Sequence, residues 1–190
     1  MAKDRPALFI IDMQEDIVGM RDATRNTVPG LRLVLDAFRK KGLPVFHIIR
    51  NYRRDWSDVE LPRIQEFQEK GPRVIENTPG ARIIAPLAPR TGEFVIVKRR
   101  WSGFFMTELP LLLVRLGIRE VVIGGTQTPN CVRSTAFDAV SYDLATTVLT
   151  DGTSAATPGI HQANLLDMKN IGIRLASCDE VVIETGRLKG

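Results

Sequence analysis

Along the chain, short runs of consecutive apolar residues alternate with stretches whose apolar residues recur every three or four positions. Four runs, ALFIID (7–12), PVFHII (44–49), EFVIVK (93–98) and EVVIGG (120–125), have the length and β-branched content of strands buried on both faces. LATTVLTDG (144–152) predicts a fifth strand and IGIRLAS (171–177) a sixth. Between them, GLRLVLDAFRKKG (30–42) places Leu31, Val34, Leu35 and Phe38 at i, i+3, i+4 and i+7 and stops at Gly42. TELPLLLVRLG (107–117) stops in the same way. CVRSTAFDAVSYD (131–143) and TPGIHQANLLDMKNIG (157–172) complete the helices, the latter with Pro158 in its first turn. Residues 51–92 hold five of the eleven prolines and so read as one short helix (61–70) among loops.

Strands alternating with helices predict a parallel sheet covered on both faces, and right-handed crossovers make it doubly wound. The expected fold is an α/β three-layer sandwich, Rossmann-like, with a six-stranded, mostly parallel sheet. No repeat, low-complexity tract or linker divides the chain, so residues 1–190 read as a single domain.

Composition narrows the function classes. Hydrophobic residues make up 44% and charged residues 25%, an ordinary soluble balance. No apolar run approaches the ~20 residues of a membrane span. The opening MAKDRPALFIID is too short in its apolar part for a signal peptide, so a cytoplasmic location and no membrane partner are expected. The net charge of +4 is mild, and RNYRRD (50–55) and KRR (98–100) are short enough to be solvated surface; no nucleic-acid partner is expected. Two cysteines, Cys131 and Cys178, cannot build a disulfide framework and read as free thiols. His47 and His161 lie far apart without metal spacing. No G-x-G-x-x-G follows the first strand, which argues against a dinucleotide; no cofactor is expected.

In a doubly wound sheet, ligands bind beyond the carboxyl ends of the strands, where the strand order reverses. The first strand ends in Asp12 and the third in Lys98. The fourth ends in Gly124-Gly125, with Cys131 following after a short polar loop. Singly, each has an ordinary structural explanation: a turn-capping aspartate, a solvated lysine, a buried small hydrophobe. Together they bring acid, ammonium and thiol to one place if the strands are neighbours. Cys131 opens a predicted helix, where backbone N–H groups and the helix dipole favour a thiolate and can hold an oxyanion. Cys178, in LASCDEVV, shows no such setting and reads as structural.

On these residues the chain resembles the isochorismatase-like cysteine hydrolases. FIIDMQEDI resembles the family's first-strand motif, VIVKRRWSGFFMTEL the lysine segment, VVIGGTQTPNCVRSTAFDA the nucleophile segment and TTVLTDGTSAAT the strand and turn after it. The likeness spans most of residues 7–175. It implies Asp12, Lys98 and Cys131 as a catalytic triad and a homo-oligomer, dimer or tetramer. It also implies a cis peptide joining Thr126 and Gln127, which turns the Gln127 N–H toward that of Cys131 to form an oxyanion hole.

Departures from the family pattern sharpen the expectation. Members that hydrolyse nicotinamide carry an Asp-x-His…His metal site after the second strand. The corresponding RNYRRDWSDVELPR has no histidine, and Asp55 and Asp58 alone make a poor site, so no metal is expected. Members that cleave the vinyl ether of isochorismate lack the cysteine. The expected activity is therefore hydrolysis of a C–N bond in a small amide or ureide through a covalent thioester. The alternatives are vinyl-ether hydrolysis or small-molecule binding without turnover. Ile17 stands where the family commonly has Phe; with Arg50, Trp101 and Phe105 (or Phe104) it is the expected pocket wall. Arg50, Arg53 and Arg54 follow the second strand and suggest a preference for a carboxylate-bearing substrate.

Overall fold

The computed structural model describes residues 5–188. Six strands form one sheet in which every pairing is parallel: β1 (Pro6–Ile11), β2 (Val45–Arg50), β3 (Phe94–Lys98), β4 (Glu120–Thr126), β5 (Ala145–Ser154) and β6 (Arg174–Ala176). The strand order is β3-β2-β1-β4-β5-β6. It reverses between β1 and β4, which puts the topological switch at the ends of those two strands.

Eight helices accompany the sheet in the described residues: α1 (Glu15–Val18), α2 (Asp22–Arg25), α3 (Val28–Lys40), α4 (Leu61–Lys70), α5 (Leu109–Leu116), α6 (Arg133–Ser141), α7 (Pro158–Asn170) and α8 (Cys178–Arg187). Strand side chains alternate between faces, and each face feeds its own core. Phe9, Ile11, Phe46, Ile48 and Ile123 pack under α5, α6 and α7. Leu8, Ile10, Val45 and Val122 pack under α3 and α8. The apolar stripe of α3 is the predicted one, Leu31, Val34, Leu35 and Phe38, all fully buried. Helix α5 ends where its sequence says, at Gly117 in the left-handed conformation.

Two differences from the sequence reading have clear causes. The predicted helix from residue 131 begins earlier, as a π-helical turn over Thr128–Val132 that runs into α6. Proline at its second position can open a helix because an N-terminal N–H has no intrahelical partner. Helix α8 was not predicted, although Ser177 and Glu180 cap it reciprocally in the S-x-x-E pattern. Cys178 is its first residue, so this cysteine too opens a helix.

Residues 51–93 leave the sheet between β2 and β3. They fold α4 and two 3₁₀ turns around a small core of Tyr52, Val59, Phe67 and Val74. Tyr52 pairs edge-on with Phe67, at 5.2 Å between ring centroids. This excursion covers the carboxyl ends of β1 and β2. No helix among the described residues is long and apolar enough to cross a membrane.

Candidate active site

Periodicity along the strands decides which side chains meet. In β2, Phe46, Ile48 and Arg50 share a face; in β3, Ile96 and Lys98 do; and Arg50 stands opposite Lys98. That face is the one covered by α6, whose approach carries Cys131. Asp12 follows β1 in the left-handed region, φ 53°, which aspartate tolerates better than most residues. Its N–H donates to Ile48 O at 2.8 Å, so the turn is tied to β2. On the other side, Gly125 of β4 lies against Ile11. A Cβ at Gly125 would stand 2.1 Å from Ile11 O, and its φ is +115°. Glycine is required for this contact, and the contact brings the Cys131 loop beside Asp12.

The three expected groups are together. Lys98 Nζ donates to Asp12 Oδ2 at 2.8 Å and lies 3.4 Å from Cys131 Sγ. Lys98 is fully buried, not the solvated end of a charged edge; Arg99 and Arg100 instead bind the 51–58 loop through Asn51 O and Asp58 O. Asp12 Oδ1 is buried without a hydrogen-bond partner among the described residues. The Thr126–Gln127 peptide is cis. Thr126 Oγ1 and Ser154 Oγ bond at 3.0 Å, and Thr128 Oγ1 bonds His161 Nδ1 at 2.8 Å. His161 Nε2 faces Thr150 O at 3.0 Å and must donate to it, so a neutral His161 accepts from Thr128.

The thiol corrects one expectation. Burial, and next the Asp12 charge, push Cys131 above the ordinary thiol value, while Lys98 and Arg50 pull it down. The helix start therefore does not make a resting thiolate. Cys178 shows the same from the other side: it also opens a helix and is also pushed up, by burial and then by Asp151. Both cysteines have an aspartate nearby; what separates them is the pair of cations, Lys98 and Arg50, beside Cys131 alone.

Arg50 is the group whose place the sequence only half indicated. It is 2% exposed, and its Nη2 lies 3.6 Å from Cys131 Sγ. Its Nη1 is held by Glu60 and by the Tyr52 hydroxyl, which itself donates to Glu60. Its guanidinium lies 6.0 Å from the Trp101 ring centroid. Burial works against its charge, but Cys131, Asp12, Tyr52 and Glu60 more than offset this, and Arg50 stays a cation. Gln14 fixes its backbone: Nε2 donates to Arg50 O at 2.8 Å and Oε1 accepts from Arg50 N at 2.9 Å. Gln14, Tyr52 and Glu60 escaped the sequence reading. For the last two, the spacing from Arg50 (two and ten residues) was the available sign.

A cavity of about 220 Å³ opens onto Cys131. Asp12, Ile17, Arg50, Thr126 and Gln127 of the predicted set line it. Trp101 and Phe105 do not: Trp101 packs on the core beside Arg50, and Phe105 is 53% exposed. Phe104 is core, stacked on Tyr142. Arg53 and Arg54 are exposed and outside the cavity. The arginines that line it with Arg50 are Arg63, on α4, and Arg21 and Arg73, from segments without legible periodicity.

The loop after β2 does not fit a metal. Asp55 caps Ser57, and Asp58 accepts from Arg53 N and pairs with Arg99. Among the described residues no three His, Cys, Asp or Glu side chains form a possible ligand set.

A family model described as Isochorismatase domain matches residues 6–180. The crystal structure of an isochorismatase family protein from Desulfovibrio vulgaris superposes with a TM-score of 0.91 at 39% identity, over 97% of this chain and 100% of that one. An Arabidopsis thaliana protein named probable inactive nicotinamidase is 42% identical over 182 residues, 92% of this chain and 93% of its own. The N-carbamoylsarcosine amidase of an Arthrobacter species is 31% identical over 188 residues, 94% of this chain and 70% of its own.

Proposed function

This chain belongs to the isochorismatase family, and on that premise we propose that it is a cysteine hydrolase cleaving a C–N bond of a small amide or ureide. The supporting observation is a single lysine, Lys98, within 2.8 Å of the Asp12 carboxylate and 3.4 Å of the Cys131 sulfur in a cavity wall.

The resting pair is a thiol beside a carboxylate, because burial and the Asp12 charge disfavour a thiolate. Asp12 Oδ1, buried and without a partner, takes the thiol proton as sulfur attacks the carbonyl carbon. Lys98 and Arg50 face the sulfur and hold the negative charge while it is there. The Gln127 and Cys131 amides bind the oxyanion of the tetrahedral intermediate. Collapse breaks the C–N bond, and the nitrogen leaves with the proton that Asp12 returns. The acyl group remains on sulfur, as a thioester from an amide or a thiocarbamate from a ureide. Asp12 then deprotonates a water that attacks this carbonyl. The acid departs, and the thiolate recovers the proton from Asp12.

The Arabidopsis relative's name, probable inactive nicotinamidase, frames the alternative: a member that binds without turnover. Nicotinamide specificity and hydrolysis are separate questions, since a C–N hydrolase for other substrates needs no metal loop. Ammonia release from ureido acids, carbamoyl amino acids, maleamate, biuret and nicotinamide distinguishes the readings. At least one of these is expected to be hydrolysed, and Cys131→Ala to lower its kcat by about 10³-fold or more with the fold intact. Turnover that survives Cys131→Ala removes Cys131 as nucleophile, and binding without ammonia release selects the alternative.

A further inference from the structure

Charge pairing around the cavity leaves a remainder. Five cations stand in or directly behind its wall: Arg21, Arg50, Arg63, Arg73 and Lys98. Three carboxylates answer them. Lys98 is taken by Asp12 at 2.8 Å, Arg73 by Glu66 at 2.9 Å, and Arg50 by Glu60. Arg21 and Arg63 line the same cavity as Cys131, are half-buried, and have no ion pair among the described residues. Ile17, Met20, Phe67 and Val74 supply apolar lining to the same cavity.

A guanidinium partly withdrawn from water and left unpaired is costly, and a carboxylate satisfies it with two parallel charged hydrogen bonds. We propose that Arg21 and Arg63 form an anion subsite, and that the substrate is an amide or ureide of a short carboxylic acid. Its acid group sits on these arginines while its C–N bond faces Cys131. The cavity, about 220 Å³, is smaller than the ~300–1,000 Å³ of pockets for drug-sized ligands, which sets the word short. The arginines differ from those the sequence suggested, since Arg50 is neutralised by Glu60 and Arg53 and Arg54 lie outside the cavity. Their recognition of an acid does not depend on turnover; the placement of the C–N bond rests on the amidase reading.

The test separates the two. Alkylation of Cys131 by iodoacetamide, scored by peptide mass in the full chain, is measured under protection by butyrate or by butyramide, which match in size and differ in charge. Butyrate is expected to protect at about tenfold or lower concentration. The difference should vanish in Arg21→Gln/Arg63→Gln and persist in Arg54→Gln, a change on the exposed loop. Equal protection in the wild type, which needs no variant to fold, overturns the subsite. So does a difference that survives the double substitution. In a second arm, a carbamoyl amino acid and its methyl ester are compared for ammonia release, and the free acid is expected to have about tenfold or higher kcat/KM. If neither compound nor any other panel amide is hydrolysed but butyrate protects selectively, the amidase reading fails and the anion subsite stands. If the ester is the better substrate and protection is equal, the subsite fails and the amidase reading stands.

Discussion

Removing one half of the Arg50–Glu60 pair should be far worse than removing both. The two side chains are 2% and 3% exposed, and the Tyr52 hydroxyl bonds to each. Glu60→Gln leaves the guanidinium buried without its counter-charge, and Arg50→Met leaves the carboxylate so. Breaking a buried pair from one side costs about 3–5 kcal/mol, whereas replacing both members by neutral groups of similar size is often nearly neutral. Each single variant should therefore lose ~3–5 kcal/mol, and Arg50→Met/Glu60→Gln should lose much less than their sum. At about 2–4 °C per kcal/mol for a chain of this size, each single variant should melt ~6–20 °C lower. Urea unfolding of the four proteins closes the cycle and gives the coupling energy. The same variants carry a readout at the sulfur. A unit charge about 4 Å away contributes ~4 kcal/mol at an effective dielectric constant of 20. Arg50 is one of the two cations that pull the Cys131 thiol down. Its loss should therefore slow iodoacetamide alkylation at neutral pH by at least about tenfold, a conservative share of that energy. Two single losses that simply add, each below ~1 kcal/mol, would refute a desolvated pair. An unchanged alkylation rate in Arg50→Met would refute its influence on sulfur.

Three further outcomes are expected. Exhaustive chelation should leave ammonia release unchanged, because the loop after β2 offers no ligand set; recovery of lost activity by added zinc or iron would contradict this. Gly125→Ala should destabilise the fold by about 2–4 kcal/mol, from the contact with Ile11 O and the positive φ together, and a urea midpoint within error of the wild type would sink that account. Stability should fall in two stages on acidification. Burial holds His47 below its ordinary value, so the unfolded chain takes up that proton first and stability declines as pH drops through about 6.5. Burial raises Glu93, but Arg39, the Arg90 N–H and His47 outweigh it and hold it at about 2, so its contribution is lost between its ordinary 4.5 and about 2. Urea midpoints from pH 8 to 3 should show both stages, with the lower one reduced in Glu93→Gln.

The parts legible in the sequence were those written in local periodicity. Phe38 closes a helical stripe and Lys98 closes a strand, and both stand where their spacing puts them. Asp12, Lys98 and Cys131 could be placed because strand ends converge in a parallel sheet whatever fills the loops. Tyr52, Glu60, Arg21 and Arg63 could not. Tyr52, Glu60 and Arg21 sit in segments without a period, Arg63 sits on a short helix whose spacing does not say what it faces, and only tertiary contacts, such as Tyr52 on Phe67, bring them to the site. Cys178 is a core residue, as its sequence suggested, but the helix it opens was not anticipated: the Ser177–Glu180 cap was visible, yet β6 before it is only three residues long and blurs into the helix start. The resting state of Cys131 was beyond reach of any local signal, because it depends on burial set against two distant cations.

Lys98 rides on β3, five residues at the rim of the sheet with β2 as sole strand neighbour. A rim strand detaches at lower free energy than the interior ones. If those residues peel away, the ammonium leaves while β1 and β4 keep carboxylate and sulfur in place. On the amidase reading this sets an order of failure: on warming, turnover should be lost while most of the chain is still folded. Val95 and Val97, 42% and 36% exposed, face outward from the same strand.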